Sequence, residues 1–240
     1  MTEDRGEVRV YRQEGHELSS LLLAAHELKS PLILIRQLAF AASDQTASDQ
    51  ARQEALAQLS LVTERGLRLT NDLTKSARLN PALFPVEPVN IQQICEAAVK
   101  EMSPLYALYG RQLELRGNKR QQTLVLAHRD LLRRILCNFA DNALNYGDPS
   151  HKVVLTTRRR QSSIELGVRD YGPRLSSRDM KAIWQGKPQS VATRPGSSGL
   201  GLFIARQFSE VMGGSLGVVR HRDGVTFYVS LPVSEQLSLL

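Results

Sequence analysis

A histidine near the start of the chain has neighbours that would make it a nucleophile. His26 lies in a segment with helical apolar spacing, one step outside the apolar positions Ala25 and Leu28. We therefore expect an accessible imidazole, whose ring nitrogen can attack an electrophile. Glu27 can orient the ring or accept the proton that it loses. Pro31 removes a backbone donor and predicts a bend one turn later. The alternative is a solvent-exposed helical histidine with no chemical role.

Three asparagines lie on one strip of a second predicted helix. Asn138, Asn142 and Asn145 fall within an arc of roughly 60° at helical spacing, beside an apolar face. Asparagine is a poor helix former, so such a strip lowers stability unless it binds a ligand. Amide oxygens suit Mg²⁺, and amide nitrogens can donate to phosphate. The alternative is a polar stripe that faces solvent.

Two further segments are typical of nucleotide contacts. Asp170 and Gly172 follow a predicted strand. The carboxylate could accept from the exocyclic amine of adenine, and the glycine would let a flat base approach the backbone. The glycine-rich run 194–202 leads into a predicted helix, whose free amide groups and dipole favour phosphate. Taken alone, an Asp-x-Gly is more often a turn, and the run lacks the spacing of a P-loop or a Rossmann fingerprint.

The first group of elements that must position these residues is helical. Apolar seams from Leu18 to Ala39 and from Ala55 to Leu73 flank the polar segment 43–50, which predicts an antiparallel helical hairpin. A hairpin cannot cover its own apolar stripe. We therefore expect two copies to form a homodimer with a four-helix bundle.

The second group mixes helices and strands after a proline-marked connector. The predicted helices cover 91–109 and 129–146 and open again near Gly199. The predicted strands cover 112–116, 123–127, 152–157, 163–169, 215–219 and 225–231, with a basic turn at 158–160. This mixture predicts an α+β sandwich with a mostly antiparallel sheet under helices.

Composition excludes several classes of protein. No apolar run approaches the ~20 residues of a membrane span, and the acidic N-terminus does not resemble a signal peptide. Both cysteines lie in apolar patterns, so we expect buried thiols in a reducing compartment and a soluble, cytoplasmic chain. The net charge of +7 and the run Arg158 to Arg160 suit acidic partners. Without an aromatic platform, a solvated turn is favoured over nucleic-acid binding.

The order of these signals resembles the H, N, G1 and G2 boxes of sensor histidine kinases, and the resemblance runs from about Leu18 to Leu231. It implies a dimerisation and histidine-phosphotransfer domain over 15–82 and a Bergerat-type (gyrase, Hsp90 and MutL-like) ATP-binding domain over 83–235. A lead segment, 1–14, and a tail, 236–240, complete the chain.

The resemblance also implies roles for particular residues. His26 would accept the phosphoryl group of ATP, Glu27 its proton, and Asn142 would hold Mg²⁺. Ser30 could orient a water for phosphatase activity. The implied nucleotide-binding residues are Asn138, Asn142, Asn145, Tyr146, Asp170, Gly172, Arg194, Gly196, Ser198, Gly199, Leu200 and Gly201. The phosphoryl group would then pass to an aspartate in the receiver domain of a response regulator.

Four positions depart from the family pattern. Asn145 stands where members usually carry lysine, and Arg174 replaces the second G1 glycine. Ile183-Trp184 reduces the F box, and Ser30 stands where phosphatase-competent members carry threonine or asparagine. Their effects on ATP affinity and phosphatase activity stay open.

Alternative functions follow from these departures and from the family's relatives. One is a degenerate scaffold that binds nucleotide and docks a regulator without catalysis. Another is an ATPase of the gyrase or Hsp90 type, but those use a helical glutamate where this chain has Asn138. Because only a short lead precedes His26, the chain would be either the excised core of a membrane sensor or a soluble kinase under a separate sensor protein.

Overall fold

The computed structural model of the 240-residue chain describes residues 24–25, 27–116, 123–172 and 200–234. These residues divide into two compact units, whose boundary along the chain lies between Leu73 and Thr74. The first unit is a helical hairpin, and the second contains the sheets with the helices that cover them.

The hairpin consists of α1, helical at 24–25 and 27–43, and α2, Asp49–Ala77. In the intervening loop the Asp44 carboxylate accepts from the Thr46 amide at 2.8 Å and from its hydroxyl at 2.6 Å. The Ser48 hydroxyl then caps α2 by accepting from the Ala51 amide at 3.2 Å. Polar side chains thus end one helix and begin the next, and the predicted pair of helices is confirmed.

The apolar positions of the hairpin divide between two faces. On α2 the predicted seam is largely covered, with Ala55 and Val62 buried. On α1 the predicted seam splits: Leu28 is half-buried, whereas Leu32 is 61% exposed. Leu28 and Leu32 point about 40° apart around the helix axis, so one side chain can be partly covered while the other faces solvent. A second apolar face therefore remains exposed on the hairpin.

Three helices of the second unit were expected close to where they lie. They are α3, Ile91–Leu108; α4, Arg129–Tyr146; and α5, Leu200–Val211. Asn90 caps α3 by accepting from the amides of Gln92 and Gln93 at 2.9 and 3.3 Å. The last turn of α2, from Thr74, also belongs to this unit.

The main sheet has five strands in the order β2-β4-β5-β7-β6, and β1 pairs separately with β3. The strands are β1 Glu87–Asn90, β2 Leu113–Arg116, β3 Leu124–Ala127, β4 Val153–Arg160, β5 Ser163–Asp170, β6 Ser215–His221 and β7 Gly224–Pro232. Among the strands that the structure describes, only β2 and β4 pair in parallel, and the other neighbours are antiparallel. With the helices packed on the sheet, this confirms the predicted fold class.

Two local expectations are wrong. Pro88 was assigned to a connector, but it lies in β1, where a two-stranded ribbon leaves room for a residue that cannot donate a hydrogen bond. Arg158 to Arg160 were assigned to a turn, but they complete β4. There Arg158 faces Glu165 across the strands, and opposite charges extend the pairing.

The core lies between the helices and one face of the sheet. Cys95 and Cys137 are buried in it, as expected, and burial raises the pKa of each thiol to about 12. Within the described residues, no helix combines the length and the apolar character needed to cross a bilayer.

Candidate functional site

The asparagine strip of α4 presents unsatisfied donors. Asn138 is buried and Asn142 half-buried, and one helical turn separates them. In the described part of the chain, the Nδ2 atom of each is buried without a hydrogen-bond partner. A buried donor left unsatisfied costs about 1–3 kcal/mol. The strip therefore fits a ligand rich in acceptor oxygens, whereas Asn145 is exposed at its far end.

A buried carboxylate ends strand β5. Asp170 is 2% exposed, and it follows the alternation that buries Leu166 and Val168 against the helices. Its Oδ1 atom accepts from the Val225 amide at 3.3 Å. The β5–β7 pairing that aligns Asp170 with Val225 therefore also orients this side chain.

Gly172 packs closely against the end of α4. A Cβ atom at Gly172 would lie 2.5 Å from the Tyr146 carbonyl oxygen and 3.2 Å from the Gly147 Cα atom. The Asp148 amide also donates to the Tyr171 carbonyl. The missing side chain of Gly172 thus lets the end of β5 pack against the end of α4.

The first turn of α5 lies beside the start of the asparagine strip. A Cβ atom at Gly201 would lie 4.0 Å from the Asn138 Cβ atom. Helix α4 therefore has Gly201 at one end of the strip, and Asp170 and Gly172 near the other.

The other predicted site residues divide into those that the structure describes and those that lie outside the described residues. On α1, Glu27 is half-buried and Ser30 is exposed. Tyr146 is half-buried at the last position of α4, and Leu200 is buried. His26, Arg194, Gly196, Ser198 and Gly199 lie outside the described residues, as do Arg174 and the segment 186–198, which the resemblance to sensor histidine kinases implies as a mobile lid.

Sequence reasoning missed two side chains that donate hydrogen bonds to main-chain carbonyls of α4 and of the loop after it. The Tyr106 hydroxyl donates to the Ala140 carbonyl at 2.8 Å. Arg111 is 7% exposed and donates to three further carbonyls near the end of the helix. Burial raises the pKa of Tyr106, and the negative charge of Asp141 adds to this effect. Neither residue belongs to a spacing pattern, so their contacts were visible only in the fold.

A cluster of charged and aromatic groups flanks the end of β5. The Arg169 guanidinium donates to the Asp170 carbonyl at 2.6 Å and to the Asp223 carboxylate at 2.6 Å. It also lies 4.4 Å from the centre of the Tyr171 ring, which stacks on His151 at 5.0 Å. Burial, together with the Arg169 charge, lowers the pKa of His221. This cluster fixes the main chain around Asp170.

Ion pairs hold the other end of α4. Asp130 pairs with Lys75 in the last turn of α2 and with Arg133 at 2.7 Å. Arg133 and Arg134 both pair with Glu101 of α3. Burial would raise the pKa of Asp130, but the hydrogen bonds from Lys75 and Arg133 outweigh it and lower that pKa.

Comparison with known proteins agrees with this architecture. Residues 127–235 match the family described as histidine kinase-, DNA gyrase B-, and HSP90-like ATPase. The matched region covers less than half of the chain. It contains α4, the end of β5 and the start of α5, which carry the candidate site.

The wider chain is similar to sensor proteins. It is 30% identical to the swarming motility regulation sensor protein RssA of Serratia marcescens, over 88% of this chain and 45% of that protein. It is also 30% identical to the sensor protein kinase PmrB of Pseudomonas aeruginosa, over 84% of this chain and 42% of that protein. The chain therefore spans less than half the length of these curated relatives.

Solved structures share the fold. Full-length ShkA in complex with AMPPNP aligns with a TM-score of 0.57 at 21% identity, over 98% of this chain and 47% of that chain. The Acinetobacter baumannii histidine kinase AdeS aligns with a TM-score of 0.55 at 17% identity, over 88% of this chain and 98% of that chain. The ATPase-family match and the sensor-protein relatives confirm the predicted resemblance to a sensor histidine kinase catalytic core.

Proposed function

We propose that this chain uses ATP to phosphorylate His26 and then passes the phosphoryl group to an aspartate in the receiver domain of a response regulator. The observation that carries the proposal is the pair of buried, unsatisfied amide donors on Asn138 and Asn142. They lie within the region that matches the ATPase family, on a helix packed against the strand that ends at Asp170.

Each end of this site suits one part of ATP. The Asp170 carboxylate can accept from the exocyclic amine of adenine, whereas the carbonyl of guanine would be repelled by it. The Asn138 amide nitrogen can donate to a phosphate oxygen. These two interactions would select adenine and orient the triphosphate along α4.

The Asn142 side chain could also serve as a ligand for Mg²⁺. Among the described residues, no three His, Cys, Asp or Glu side chains cluster as metal ligands would. The amide oxygen of Asn142 is a hard ligand, which would act together with phosphate oxygens and water. When bound, Mg²⁺ neutralises charge on the phosphates.

The proposed chemistry at the histidine is a direct displacement. A ring nitrogen of His26 forms a bond to the γ-phosphorus while the bond from that phosphorus to the bridging oxygen breaks, and ADP leaves. The carboxylate of Glu27, the residue after His26, accepts the proton that the attacking imidazole loses. The product is a phosphohistidine, whose phosphoryl group the receiver aspartate can accept.

The exposed face of the hairpin supports a homodimer. Large apolar side chains on both helices face solvent; they include Phe40 at 71%, Leu67 at 60% and Leu56 at 53% exposure. A second copy of the hairpin would cover them in a four-helix bundle. We also propose a cytoplasmic location for this core, where ATP is available.

The test is phosphorylation with γ-labelled ATP and Mg²⁺. We expect acid-labile, alkali-stable label on the wild-type chain. The label should be absent from His26→Ala and reduced about 100-fold in Asn142→Ala, because a metal ligand is lost. Asn71→Ala serves as the matched control, since Asn71 is exposed on α2. If the wild-type chain binds ATP but acquires no label, the scaffold alternative replaces the kinase.

A further inference from the structure

A buried arginine holds the end of helix α4. Arg111 follows α3, and its Nη1 atom donates to the carbonyls of Ala143 at 3.0 Å and Leu144 at 2.7 Å. Its Nη2 atom donates to the Asp148 carbonyl at 3.0 Å. One guanidinium therefore satisfies carbonyls of the last helical turn and of the loop beyond it. A cation is also favoured there by the helix dipole.

The missing side chain of Gly147 leaves a position that is close to both this guanidinium and the Asp170 side chain. A Cβ atom at Gly147 would lie 2.8 Å from Arg111 Nη2 and 3.4 Å from the Asp170 Cβ atom. A side chain at position 147 would also lie 2.6 Å from the Ala143 carbonyl oxygen, so that carbonyl or the Arg111 guanidinium would have to move. The Arg111 guanidinium and the Asp170 side chain therefore both lie on the side of Gly147 where a Cβ atom would stand.

The loop that Arg111 holds is also bonded to the end of β5. The Asp148 carbonyl accepts from Arg111, while the Asp148 amide donates to the Tyr171 carbonyl, directly after Asp170. Gly172 then packs on the Tyr146 carbonyl. Arg111 is therefore connected, through the end of α4 and the loop after it, to the two residues that directly follow Asp170.

We propose that Arg111 is a positioning residue for adenine recognition, because it fixes the end of α4 against the end of β5 and so sets the place of the Asp170 carboxylate. This inference rests on the proposed function, in which Asp170 reads the adenine amine. Arg111 acts through Gly147 and Asp148 and contacts no nucleotide. Lysine can replace its charge but not its planar fork of donors.

The test compares two nucleotides that differ at the atom Asp170 reads. ATP and purine riboside triphosphate, which lacks the 6-amino group, are titrated separately into the full chain with Mg²⁺. We expect Arg111→Met to reduce the preference for ATP about tenfold or more, the effect of misplacing one charge-assisted hydrogen bond. Affinity for the analogue should change little. Arg111→Lys should recover part of the preference.

Arg116→Met is the matched control, because Arg116 is an exposed arginine on the neighbouring strand β2; it should keep the wild-type preference. A purely structural role for Arg111 predicts that Arg111→Met weakens both nucleotides equally, and that outcome would overturn the inference. If Arg111→Met does not fold, as judged by circular dichroism, the same comparison with Arg111→Lys decides. A wild-type chain that binds ATP no better than the analogue overturns the role of Asp170 itself, which distinguishes failure of the proposed function from failure of this inference.

Discussion

Gly172 packs directly against the Tyr146 carbonyl, and a Cβ atom there would lie 2.5 Å from that oxygen. Gly172→Ala should therefore push the end of β5 away from α4. We expect a loss of about 1–3 kcal/mol in the free energy of unfolding and weaker ATP binding, measured by urea unfolding and calorimetry. An unchanged affinity for ATP would show that the contact does not shape the site.

Replacing Asn138 should raise the stability of the ligand-free chain and remove its stabilisation by MgATP. Asn138→Leu removes a buried donor that lacks a partner in the described structure. We expect the ligand-free chain to gain about 1 kcal/mol in unfolding free energy, while stabilisation by MgATP disappears. Asn71→Leu, at an exposed position of α2 that has no proposed contact with nucleotide, is the control. Equal stabilisation of Asn138→Leu and wild type by MgATP would contradict the assignment of this amide to the phosphates.

The ion pairs of Asp130 predict a dependence on pH. Its pKa is lowered in the folded chain, because the hydrogen bonds from Lys75 and Arg133 outweigh burial. The folded carboxyl group thus binds a proton less readily than the unfolded one. Its contribution is present above the unfolded pKa of 3.8 and is lost as pH falls through the lower folded value.

Asp130→Asn should therefore lower the free energy of unfolding by about 1 kcal/mol at neutral pH. Chemical unfolding of both proteins from pH 7 to pH 3 should show the difference shrinking in acid. Asp49→Asn, at a side chain 88% exposed, should have little effect. A difference that persists unchanged at low pH would exclude the ion pairs as its source.

Gly66 lies in the interior of α2, where glycine lowers helix stability. A Cβ atom there would meet the Pro31 Cβ atom at 4.0 Å, an ordinary van der Waals distance. Gly66→Ala should raise the free energy of unfolding by about 1 kcal/mol, seen as a higher melting temperature. A lower melting temperature would mean that Pro31 needs more room than this geometry gives it.

The exposed apolar face of the hairpin should carry the dimer. Leu56→Glu places a charge at a position that is 53% exposed in the single chain. Light scattering should then report a monomer at concentrations where the wild type is dimeric. Val219→Glu, at an exposed apolar position of the second unit, should leave the dimer intact. A wild-type monomer at micromolar concentration would contradict the proposed assembly.

Sequence reasoning succeeded where one periodic signal covered a whole element. The bounds of α4 were predicted because apolar spacing and the asparagine strip agree over its length. Strand β1 was missed because Pro88 argues against a strand unless the ribbon is already known. Arg111 was missed for a different reason: its acceptors are carbonyls more than thirty positions later in the chain, and no local pattern encodes them.

During synthesis, β2 leaves the ribosome long before its parallel partner β4 exists, since Leu113 pairs with Val153. Until then its backbone is an open edge that other chains can pair with. Antiparallel β4 and β5 follow each other directly and can form a hairpin as soon as both are made. Nascent chains in which synthesis stalls between β2 and β4 should therefore depend on chaperones more than chains that already contain β4. Truncation within α4 should yield aggregates instead of a smaller folded domain.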